Sequence, residues 1–63
     1  MSWKDAKDEA TAFLAGLDLP QDLKGREIDL ATITTGLAQR GSFRAMVLRA
    51  IARQLKARGA KIK

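Results

Sequence analysis

The stretch Ser42–Arg58, SFRAMVLRAIARQLKAR, constrains the fold more than any other part of the chain. At 100° per residue, Phe43, Val47, Leu48, Ala50, Ile51, Ala52 and Leu55 fall on one broad side. Arg49, Arg53 and Lys56 fall together on the other, within roughly 60° of arc. Such a segment is an amphipathic helix, and it needs a core to lie on. The remainder of the chain has little to offer it. Sixty-three residues make one domain, and a chain of that size buries only about 60% of its unfolded surface. With no Cys and no His, neither a disulfide nor a thiolate–imidazole zinc site can staple the fold. Stability must come from packed helices or from self-association.

From the N-terminus, Ser2 caps a first helix, with Asp5 as the reciprocal half of a capping box. Trp3, Ala6, Ala10, Phe13, Leu14 and Leu17 form its apolar stripe, and the helix is predicted over 3–15 with Gly16 as its stop. Asp18 to Gly25 reads as a cap, a proline in the first turn and a short helix that turns Leu19 and Leu23 inward. Arg26–Arg40 is open between two states. Its IDLATITT run is rich in β-branched residues and suits a strand. A lone strand would leave its backbone groups without a partner, so helix is expected, with Leu30, Ile33, Thr34 and Leu37 on one face. Gly41 ends that helix, Ser42 caps the last one, and residues 59–63 are expected to be a mobile basic tail.

The fold class predicted is all-α: residues 1–58 as one small compact bundle of four to five short helices. Its core would draw on Trp3, Phe13, Leu14, Leu23, Leu30, Ile33, Leu37, Phe43, Val47, Ile51 and Leu55. No apolar run approaches the ~18 residues of a membrane span, and the N-terminus lacks a signal peptide's apolar segment. A cytoplasmic, soluble protein is expected.

Catalysis is not expected, because the usual imidazole bases and thiol nucleophiles are absent. No metal, cofactor or small-molecule substrate is expected either. Asp5, Asp8 and Glu9 sit on the polar face of the first helix, where acids are ordinarily solvated. The two glycines before Ser42 resemble a phosphate-binding loop in spacing, but the Lys is missing and no parallel sheet is expected in this length.

Charge points further. Residues 1–25 hold three lysines against five acids, net −2, while residues 26–63 hold nine bases against two acids, net +7, which together make the chain's +5. From Arg40 onward there are eight bases and no acid. A single-sign segment of this kind implies a polyanionic or acidic partner. Five of the eight are Arg, which grips phosphate bidentately. No exposed aromatics are expected among them, since Phe43 belongs to the apolar side, which argues against stacking on single strands. Leu48, Ala52 and Leu55 make a second apolar stripe beside the first. It is either part of one core or a self-association surface.

Leu48-Arg49-Ala50-Ile51-Ala52-Arg53-Gln54-Leu55 resembles the L-x-x-I-A-x-x-L helix that follows the DNA-reading unit in lambda-repressor-like helix-turn-helix domains, and Arg40-Gly41 resembles the turn before it. Leu19-Pro20-Gln21-Asp22-Leu23 is similar to the opening of their second helix, and Thr32-Ile33-Thr34-Thr35 to their recognition segment. The spacing from Ile33 to Gly41 is longer than in that family. The resemblance implies a small double-stranded DNA-binding protein, a bacterial or phage transcriptional regulator acting as a homodimer. Thr32, Thr34, Thr35 and Gln39 would face base edges. Arg26, Arg40 and Arg44 would hold phosphates, with Arg49, Arg53 and Lys56 adding general attraction. The alternative is a small phage-type interaction or inhibitor protein that presents the basic helix to an acidic protein surface. RNA association shares the charge but not the helix-turn-helix pattern.

Overall fold

A computed structural model describes residues 2–63. Helix α1 spans Trp3–Ala15, followed by strand β1 (Glu27–Ile28), a single helical turn α2 (Leu30–Ile33), the long helix α3 (Gly41–Ala57) and strand β2 (Lys61–Ile62). The two strands pair in parallel, Glu27 with Lys61 and Ile28 with Ile62. Parallel pairing requires a crossover, and here α2 and α3 form it.

The expected all-α bundle of four to five helices is thus corrected to three helices, two of them longer than a turn or so, plus a two-stranded parallel sheet. Both long helices lie where the sequence puts them. Ser2 and Asp5 form the full capping box, with Asp5 N–H donating to Ser2 Oγ at 3.2 Å and Ser2 N–H to Asp5 Oδ2 at 3.3 Å. Ala6, Ala10 and Leu14, at i, i+4 and i+8, are the buried residues of α1, and they join Val47, Ala50, Ile51 and Leu55 of α3 in one core. Ala6, Ala10 and Ala50 put methyl-sized side chains at this contact, which permits a close approach of the two helices.

The other expected elements differ, each for a local reason. The short helix over residues 19–24 does not form. Pro20 lacks an N–H, the Asp22 carboxylate accepts Lys24 N–H at 2.9 Å in an Asx turn, and Leu23 N–H donates to the Arg58 carbonyl at 2.8 Å. A segment this short gains too few helical bonds to compete with those alternatives. The helix expected over Arg26–Arg40 is instead strand, one turn and loop. Asp29 caps α2 by accepting Ala31 N–H at 3.1 Å, and the Thr34 hydroxyl donates back to the Leu30 carbonyl at 2.7 Å as the turn ends.

Residues 59–63 are not a free tail. Arg58 and Gly59 N–H donate to the Leu55 and Lys56 carbonyls, and Ala60 N–H to Leu55, which is the Schellman pattern with Gly59 at φ +97°. The chain then turns along β1, where Lys61 N–H donates to the Arg26 carbonyl at 2.8 Å and Lys63 N–H to Ile28 at 2.9 Å. Ala60 and Ile28 are buried and Ile62 packs against them, so the C-terminus closes one end of the core.

Candidate nucleic-acid interface

Helix α3 divides its circumference between packing and solvent. Val47, Ala50, Ile51 and Leu55 are buried, while Arg49, Arg53 and Lys56 are exposed, as are Ser42 and Ala45 in the turns before them. No acid lies on the helix, and its solvent face carries only bases and small residues. Among the described residues the ion pairs are Lys4–Asp8 and Lys63–Glu27, so Arg40, Arg49, Arg53 and Lys56 have no carboxylate partner. The Arg53 guanidinium sits over the Trp3 ring, 5.5 Å from its centroid. That contact stiffens a long side chain and leaves its remaining N–H groups for a ligand.

The residues expected to read bases fare differently. Thr34 is 1% exposed, and its hydroxyl is committed to the Leu30 carbonyl. It is therefore a core residue and a helix terminator, not a base reader. A β-branched Thr at the end of a single turn satisfies its own hydroxyl against the carbonyl four residues back. Gln39 is half-buried, and its Nε2 donates to Glu9 Oε2 at 2.9 Å, tying the loop before α3 to α1. Thr32 and Thr35 are exposed.

Arg44, expected to hold phosphate, instead donates through Nη1 to the Leu37 carbonyl at 2.9 Å and to that of Gln39 at 3.4 Å. It secures the loop that enters α3. That entry uses no hydroxyl cap, since Ser42 lies inside the helix and the turn rests on Gly41 at φ +68°. Arg26 and Arg40 are exposed. The two segments most similar to a second helix and a recognition helix, residues 19–23 and 32–35, lie in a loop and around one helical turn.

The expected self-association stripe is split. Leu55 is fully buried and belongs to the core, whereas Leu48 and Ala52 are half-buried at the edge of the solvent face. Leu55→Glu is therefore expected to unfold the chain, since a buried unpaired carboxylate costs several kcal/mol. Leu48→Glu, whose carboxylate can reach water, is expected to cost about 1–2 kcal/mol and keep the helical circular dichroism. Equal unfolding by both substitutions would show that Leu48 is as much a core residue as Leu55.

Among the described residues no group of three or more acids could hold a metal ion, no pocket is present, and no helix is long and apolar enough to cross a membrane. One contributor escaped the sequence: Trp3 was expected only in the core, and its place under Arg53 depends on how α1 lies on α3. Comparison with protein-family models, with curated proteins and with solved structures finds no match to this chain.

Proposed function

We propose that this chain binds double-stranded DNA through the phosphate backbone, using the outer face of α3. The observation that carries the reading is the row Arg49, Arg53 and Lys56, exposed on a helix without acids and free of carboxylate partners among the described residues. Guanidinium groups one helical turn apart suit successive phosphates, and each neutralised phosphate releases a counterion. Arg40, exposed at the N-terminal end of the same helix, is a further base open to phosphate.

Binding of this kind positions the protein without reading sequence. Thr34 is buried and Gln39 is engaged with Glu9, which leaves Thr32 and Thr35 as the polar side chains open to bases. A regulator that reads an operator needs more than these two short hydroxyls, and a homodimer with two half-sites is how it would obtain it. Selection from a random duplex pool tests this directly. The expected outcome is retention of DNA with no enriched sequence. Enrichment of a motif, abolished by Thr32→Ala or Thr35→Ala, would restore a sequence-reading role.

A second reading is favoured by Leu48 and Ala52, which border the basic row with part-exposed apolar surface. A mixed basic and apolar helix face also suits an acidic amphipathic partner protein. Displacement of bound duplex by an acidic protein, at equal charge concentration to a heparin control that displaces less, would favour that partner.

A further inference from the structure

The fold gathers a second group of bases that are far apart in the chain. Lys24 and Arg26 come from the loop before β1, and Arg58 and Lys61 from the segment that closes the C-terminus. Backbone contacts bring the two segments together: Leu23 N–H donates to the Arg58 carbonyl at 2.8 Å and Lys61 N–H to the Arg26 carbonyl at 2.8 Å. Between these two bonds, Gly59 packs so closely on Lys24 that an added Cβ would lie 2.9 Å from Lys24 Cα. Two acids, Asp22 and Glu27, stand at this junction, and Glu27 faces Lys61 in the strand register. Asp22 accepts the Lys24 N–H and Glu27 pairs with Lys63 at 3.8 Å. Lys24, Arg26 and Lys61 are exposed and have no carboxylate partner among the described residues.

We infer that this junction is a second phosphate-contacting patch, at the C-terminal end of α3. The inference rests on the reading of the α3 face above. Bases at a helix C-terminus ordinarily offset the negative end of its dipole, and Lys56 and Arg58 are placed to do that. Lys24 and Arg26 are not on the helix, and nothing in the local structure of their own loop calls for unpaired charge. The salt dependence of duplex binding is what distinguishes a ligand patch from dipole compensation.

The test compares two charge-removal variants of the whole chain by anisotropy titration of a random duplex across a salt series. One is Lys24→Gln with Arg26→Gln and Lys61→Gln; the other is Arg49→Gln with Arg53→Gln. Both leave the backbone bonds and part of each aliphatic stem in place, and circular dichroism checks folding. Because each lost phosphate contact removes about 0.9 from the slope of log affinity against log salt, the junction variant, with three bases removed, is expected to flatten it by about 2.7. Its affinity at ~100 mM salt is expected to fall at least about tenfold. The variant Lys24→Arg with Lys61→Arg is expected to keep the original slope. If the α3 variant flattens the slope and the junction variant does not, the inference is overturned while the α3 reading stands. If the arginine variant loses as much as the glutamine variant, charge is not what matters there, and the inference is likewise overturned. If the unsubstituted chain binds no duplex, both fall together.

Discussion

Gly59→Ala is expected to remove roughly half of the chain's folding stability. At φ +97° an L side chain is strained, by about 1–2 kcal/mol. The new Cβ would also meet Lys24 Cα at 2.9 Å and Lys24 N at 3.1 Å, and those are backbone atoms. Lys24 has little freedom to retreat, because Leu23 N–H is held by the Arg58 carbonyl and Lys24 N–H by the Asp22 carboxylate. Displacing that backbone adds roughly another 1–3 kcal/mol, by analogy with overpacked cores. The sum of about 2–5 kcal/mol compares with a total stability on the order of 3–9 kcal/mol for a domain of this length. Gly25→Ala is the control. Its φ is +79°, but nothing lies within 4 Å of the added Cβ, so only the conformational part of about 1–2 kcal/mol is expected. Urea melts of the two variants check the difference. Equal losses would mean that the 23–26 and 58–61 segments do not pack as described.

Arg49→Glu with Arg53→Glu is expected to reduce duplex affinity on the order of 100-fold or more at ~100 mM salt, alike for all sequences. Two contacts are lost and two repulsions gained, so the salt slope flattens by at least about 2. Folding suffers little, because both side chains are exposed and the main internal loss is the Arg53–Trp3 contact, about 0.5–1 kcal/mol. Gln39→Ala separates the roles. It removes the tie to Glu9, so it is expected to lower stability by about 0.5–1.5 kcal/mol and leave random-duplex affinity nearly unchanged. Salt-dependent anisotropy with parallel thermal melts checks both. A Gln39→Ala variant that is fully stable but loses DNA would return Gln39 to the interface.

Elements whose determinants are local were legible in the sequence. The Ser2–Asp5 capping box and the period of Val47, Ile51 and Leu55 involve neighbours within a turn or two, and both long helices lie where those patterns put them. Elements that depend on distant partners were not. IDLATITT carried the composition of a strand, and helix was preferred only because no partner strand was in view. The partner is Lys61–Ile62, in a segment whose Gly, Lys and length are those of a free tail. Two-residue strands leave no alternation to detect.

At the candidate site the same division holds. The solvent side of Arg49, Arg53 and Lys56 follows from helical geometry. The burial of Thr34, the capture of Gln39 by Glu9 and the carbonyl bonds of Arg44 depend on how the loop between α2 and α3 folds back. No local pattern distinguishes a Thr that reads a base from one that closes a helical turn.

The most direct measurement is an anisotropy titration of the full chain against labelled random-sequence duplex at ~50 mM and then ~200 mM salt. Saturable binding at the lower salt is expected, weakening at the higher by roughly 10²–10³, the lower figure for about four phosphates held by α3 alone and the upper for about six with the junction. An absence of binding at ~50 mM salt, where attraction between the bases of α3 and phosphate is strong, would contradict the proposed function.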